Sequence, residues 1–171
     1  FMKRSMERLK TEGINCNVIS SGGSPDMWLA HEQTSATEYR IGTYIYNDRS
    51  LVERGVRDWK DCALTVLATV VSTPTPNRSI IDAGSKVLTS DLLDLDGYGH
   101  VLGHSNVSVG SLSEEHGILQ HDNHSPFAVG EKISIVPNHV CVVSNMVDTV
   151  WLKKPSGSFE NLPVAARGKV I

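Results

Sequence analysis

From Asp58 onward the chain is cut into short β-branched runs by glycine, proline, serine and asparagine, and this constrains its fold most. Residues 63–72 (ALTVLATVVS) are long enough for a full strand and carry the residue types that suit a pleated, half-buried surface. Residues 79–82, 118–120, 132–136, 140–145, 149–153 and 165–171 read as further strands. PTPN, PFAVGE and KKPSGSFENLP punctuate the gaps with turn residues. The pattern predicts an antiparallel β-barrel or sandwich.

The start of the chain has another rhythm. Residues 2–10 place Met2, Met6 and Leu9 on one helical side and basic residues on the other, closed by Gly13. That helix reads as already under way at Phe1, without a capping residue ahead of it, as expected of a piece of a longer protein. Residues 17–20 read as a strand running into Ser21-Gly22-Gly23-Ser24-Pro25, and residues 38–46 as a second strand interrupted at Gly42. Helix, strand, small-residue loop and strand fit the tail of a (β/α) barrel. The expected fold is therefore mainly β with an α/β remnant. A barrel end occupies residues 1–50 and an antiparallel β-domain residues 58–171, with the boundary near residues 47–58.

Composition excludes several classes. With 40% hydrophobic and 20% charged residues among 171, the chain is an ordinary globular one. A formal net charge of -3 gives no electrostatic case for nucleic acid, and 6% aromatic residues argue against a base-stacking surface. No apolar run approaches the roughly 20 residues of a bilayer span. Cys16, Cys62 and Cys141 are a sparse, odd set that suits a reducing compartment, so a cytoplasmic location is expected.

Two stretches carry candidate chemistry. Ser21-Gly22-Gly23-Ser24 can aim backbone N–H groups at an oxyanion, or be a simple tight turn. Arg40-Ile41-Gly42-Thr43 adds a cation and a glycine permitting close backbone approach, or is a bulged strand with a surface ion pair. In Pro137-Asn138-His139-Val140-Cys141-Val142-Val143, strand alternation would put His139 and Cys141 on one face. They are then either a buried thiol beside a hydrogen-bonded imidazole or two ligands for a borderline metal ion. His116 is a further candidate for metal or substrate, and Asp82 either orients a catalytic group or forms an Asx-turn. His100 and His104 have helical metal-pair spacing, but the glycines around them favour a loop. His121 and His124 read as exposed, Cys16 and Cys62 as buried thiols, and Trp28, Trp59 and Trp151 as core or interface anchors.

Taken in order, SSGGSPDMW, EYRIGTYIYND, DAGSKVLTSD, LSEEHGIL, FAVGEKISIVPNHVCVVSN and ARGKVI resemble D-threonine aldolase and D-serine dehydratase. These are pyridoxal-phosphate enzymes with the alanine-racemase type of fold. The resemblance implies the C-terminal portion of a metal-activated lyase acting on D-β-hydroxy amino acids. It implies that Ser21, Gly22, Gly23 and Ser24 bind the cofactor phosphate, with Gly42, Thr43 and Tyr44 offering further groups. Arg40 stands where racemase relatives place an arginine near the pyridine ring. His139 and Cys141 match the family's divalent-metal pair, and the cysteine tilts the metal towards zinc and the reaction towards dehydration. The family's Schiff-base lysine lies in the first barrel strand, and neither Lys3, Lys10 nor Lys86 matches it. No catalytic residue is therefore expected in this chain, which would act only with its missing barrel; its expected partners are that barrel or, through self-association as a homodimer, a second copy covering the exposed barrel end. The alternative is a stand-alone, non-catalytic β-domain serving in association or metal binding.

Overall fold

Alternation of side chains organises most of the chain. Along β3 (Val66–Thr75), Val66, Ala68 and Val70 are buried while Leu67 lies exposed between them, as period two requires of a sheet with one covered face. The structure is a computed structural model describing residues 1–122 and 124–169, and it falls into two compact units, Phe1–Ile45 and Tyr46–Ile171.

In the second unit the pattern continues through β4 (Arg78–Ile81), β5 (Gly99–Val101), β6 (Val107–Leu112), β7 (Gly117–His121) and β8 (Lys132–Pro137). With β3 these strands close into an antiparallel barrel in the order β3-β4-β7-β6-β5-β8. Closure leaves the sheet no open edge. Val70, Ile81, Val101, Val109, Leu119 and Ile135 fill its interior and are fully buried. Each such side chain contributes roughly 1.5–3 kcal/mol through removal from water. Asp82 closes the β3–β4 ladder where β3 bulges, its Oδ1 accepting from the Thr69 N–H at 2.6 Å. It is thereby occupied with the backbone.

Several expected strands do not form over their expected length. Residues 140–145 are not a strand: α4 (Val140–Met146) is a helix capped at His139. The β-branched run VCVVSNM favours a strand by propensity. However, the carboxylate of Asp48 takes the Val140 N–H at 3.0 Å, and Val140 and Val143, one helical turn apart, bury together. Tertiary contact overrides propensity here. Within residues 165–171, positions 165–168 form a turn, and Val170 and Ile171 lie outside the described residues. Strands β5, β6 and β10 (Phe159–Pro163), by contrast, are not expected from the sequence: β5 has three residues, β6 is diluted by glycine and serine, and β10 (FENLP) carries the turn-type residues asparagine and proline. β10 pairs with β9 (Thr149–Lys153) as a hairpin outside the barrel, with Trp151 69% exposed rather than a core anchor.

The first unit begins with α1 (Met2–Thr11), which has no buried residue. The strands β1 (Ser20–Ser21) and β2 (Glu38–Tyr39) pair in parallel, Ser20 opposite Glu38 and Ser21 opposite Tyr39. A 3-10 segment over Ser24–Glu32 connects them, and the Tyr39 hydroxyl reaches the carbonyls of Ala30 and Gln33. Residues 38–46 are thus not one strand. The ladder stops because β1 ends at Gly22, whose φ of 126° breaks extended pairing, and Thr43–Ile45 turn into a 3-10 helix. Trp28, also expected as an anchor, is 58% exposed. Among the described residues no helix is long and apolar enough to cross a membrane.

Candidate metal and phosphate sites

The junction between β8 and α4 is held by a buried polar hub. Asp48 is completely buried and caps α2 (Arg49–Glu53), accepting from the Leu51 N–H at 3.3 Å and the Ser50 hydroxyl at 2.7 Å. Its other oxygen takes the first free N–H of α4, from Val140. Asn138, 1% exposed, donates from Nδ2 to the carbonyls of Asp91, Leu92 and Gly97. Its Oδ1 accepts from Arg49 at 3.1 Å. The two residues pin the chain on either side of His139, because buried polar groups of this kind are costly unless fully paired.

His139 projects from this junction with its Nδ1 2.5 Å from Asp91 Oδ2. A carboxylate can only accept, so Nδ1 carries a proton and donates it to Asp91, which leaves Nε2 as the nitrogen facing away from this bond. Cys141 follows on the first turn of α4 and is exposed. The alternation argument for this pair is therefore overturned: a helix cap and its second helical residue take the place of two residues on one strand face. Among the described residues no group of three or more His, Cys, Asp or Glu has metal-site geometry. A borderline nitrogen and a soft thiolate suit zinc.

The small-residue loop makes a second site in the first unit. Ser21, Gly22 and Gly23 line a cavity of about 400 Å3 together with Asp26, Tyr39 and Ile41. A Cβ at Gly22 would come 2.7 Å from the Arg40 nitrogen, so only glycine fits. Ser24 is buried and its Oγ has no hydrogen-bond partner. An orphaned buried hydroxyl is unusual, but Ser24 is not among the residues that line this cavity, which also include the acidic Asp26 and Glu32. Arg40, Gly42, Thr43 and Tyr44 are not among the lining residues. The Arg40 Nε donates to the Ser20 hydroxyl, which in turn donates to Glu38.

The remaining candidates are dispersed. His116 is exposed. His121, expected on the surface, is 6% exposed and bonds Ser79. Cys16 is exposed, contrary to expectation, and burial, with Asp48 and Asp61 adding, pushes the half-buried Cys62 thiol up to about 11. Lys86 is engaged at the surface with Glu114 and Glu115. His100 does not form a helical pair with His104 but stacks on Trp59, ring centroids 3.7 Å apart. Burial, and then Arg49, hold its pKa below 6.5, with Glu53 opposing. The unfolded chain thus takes up the proton at higher pH than the folded one, so stability is full above 6.5 and falls as pH drops through the lower folded value. His100→Gln is expected to flatten this acid limb in urea midpoints measured from about pH 7 to about pH 5. An unchanged slope would dismiss His100 as its source.

The family described as "Putative serine dehydratase domain" matches residues 63–152. The chain belongs to that family. This member is 37% identical over 115 residues to an uncharacterized protein of Mycobacterium tuberculosis, covering 64% of this chain and 86% of the other. It is 31% identical to D-threo-3-hydroxyaspartate dehydratase of Delftia over 81% of this chain and 41% of that one, whose structure superposes with a TM-score of 0.79. D-threonine aldolase of Filomicrobium marinum matches at a TM-score of 0.79 and 28% identity, covering 99% of this chain and 47% of its own. The chain thus spans less than half the length of these two enzymes. Solved forms of the D-threo-3-hydroxyaspartate dehydratase include a histidine and a cysteine mutant two positions apart, the cysteine one metal-free.

Sequence reading missed Asp48, Arg49, Asp91 and Asn138. Asp48 did carry a signal, an acidic cap just before Arg49-Ser50-Leu51. Asp91 carried none.

Proposed function

We propose that this chain is the C-terminal part of a pyridoxal-phosphate- and divalent-metal-dependent lyase acting on D-β-hydroxy amino acids, of dehydratase or aldolase type. The observation that carries the reading is His139, fixed through Nδ1 by Asp91, with Cys141 two residues on at an exposed helix start. The same histidine–cysteine spacing appears in the mutants of the related dehydratase, one of them metal-free. In this reading residues 1–50 are the end of a (β/α) barrel. Ser21, Gly22, Gly23 and the orphaned Ser24 hydroxyl hold the cofactor phosphate, and His139 and Cys141 hold the metal. When bound, the cofactor supplies an electron sink and the metal a Lewis acid for the β-hydroxyl. The protein's share is to hold the imidazole through Asp91 and to place the Cys141 thiol on the first turn of the helix that follows it.

Elemental analysis tests this directly. The purified chain, loaded with zinc and dialysed, is expected to retain about one zinc per molecule. A variant with both His139→Ala and Cys141→Ala should fall to background. Equal zinc in both proteins would overturn the metal site.

A further inference from the structure

The loop from Thr89 to Gly97 is under backbone strain and is held in place with unusual thoroughness. Thr89, Leu93 and Asp94 all have positive φ, at 63°, 49° and 61°. Positive-φ conformations in residues with a Cβ are strained and persist only where the surroundings impose them. Here the surroundings are identifiable. The buried Asn138 amide takes the Asp91, Leu92 and Gly97 carbonyls, and Arg54 takes the Leu93 carbonyl at 3.0 Å. Gly97 closes the loop at a φ of 72°, where a Cβ would come 2.7 Å from the Val109 carbonyl oxygen. Every one of these restraints acts on loop backbone and none on the Asp91 side chain. What the strained loop delivers is the Asp91 carboxylate, 2.5 Å from His139 Nδ1.

We infer that Asp91 is a positioning residue for the metal site: it locks His139 in the Nδ1–H tautomer and orientation that offer Nε2 to the ion, and the Asn138–Arg54 clamp exists to pre-set it. This rests on the metal reading above. An imidazole with a carboxylate on its second nitrogen is a more basic, pre-oriented ligand, and loss of such a partner typically weakens metal binding 10–100-fold. The Asn138 and Arg54 bonds reach only loop carbonyls, so Asp91→Ala should leave the loop folded.

The test compares the full chain with Asp91→Ala, Asp91→Asn and His139→Ala, each titrated with zinc against a chelator of known affinity. Nitrogen-15 NMR of the imidazoles in the metal-free proteins reports the tautomer, and thermal midpoints report folding. The expected result is a zinc affinity about 10–100-fold weaker in Asp91→Ala, with partial rescue in Asp91→Asn. The parent should show the Nδ1–H signature at His139, and Asp91→Ala should lose it with little change in midpoint. Equal zinc affinity in the parent and Asp91→Ala, with His139→Ala weakened, would overturn the positioning role while leaving the metal site standing. A His139→Ala chain that binds zinc as the parent does would overturn the metal site itself, and the positioning role with it.

Discussion

Asp48→Ala is expected to lower the unfolding free energy by about 3 kcal/mol, more than most single substitutions of a polar residue. The loss has two parts. Removing the cap of α2 costs on the order of 1 kcal/mol. The Val140 N–H, which has the Asp48 carboxylate as its partner at 3.0 Å, would be left buried and unpaired, costing roughly 1–3 kcal/mol more. The Leu51 N–H suffers less, because it also bonds the Asp48 carbonyl at 3.2 Å. Urea unfolding followed by circular dichroism would measure the change, and Asp48→Asn, which keeps an acceptor, should recover part of it. A loss below about 1 kcal/mol would mean that Asp48 does not carry the junction. The same substitution removes what starts α4 immediately after His139, so weaker zinc retention should accompany the loss of stability.

That junction also shows where sequence legibility ends. The barrel was legible wherever a strand alternates cleanly, as in β3, where Val66, Ala68 and Val70 alternate with outward residues. It was less legible in β6, where Gly110 and serines dilute the pattern and the register shifts between Val109 and Ser111. Residues 140–146 misled because their local preference is for a strand, and the decision is made by a carboxylate 92 residues away in sequence. No window of local sequence contains that information. His139 and Cys141 stood out as a candidate pair from their residue types and spacing, but their placement at a helix cap and first turn did not. The candidate phosphate loop stood out from its small residues; the unpaired Ser24 hydroxyl did not, since an unmet hydrogen bond is a property of the folded surroundings. Asp91 lay furthest from view: its relation to His139 spans 48 residues and depends on a loop held in positive-φ conformations.

In the proposed metal site Cys141 is the donor whose softness sets the preferred ion, and Cys141→Asp should change that preference. A thiolate is a soft ligand that favours zinc, whereas a carboxylate oxygen is hard and tolerates manganese or magnesium. His139 and its Asp91 partner stay unchanged, so the substitution alters one donor atom and leaves the imidazole as it was. Cys141 is exposed on the first turn of α4, and aspartate is well accepted near a helix start, so folding should be affected little. The ratio of zinc to manganese affinity, measured by separate titrations of the full chain, is expected to fall by about two orders of magnitude in the variant. Zinc can still bind more tightly than manganese in absolute terms, since that order holds for nitrogen and oxygen ligands alike. The discriminating quantity is therefore the ratio. An unchanged ratio, with both ions still lost in His139→Ala, would mean that the Cys141 sulfur does not touch the metal and that the histidine binds it with some other donor.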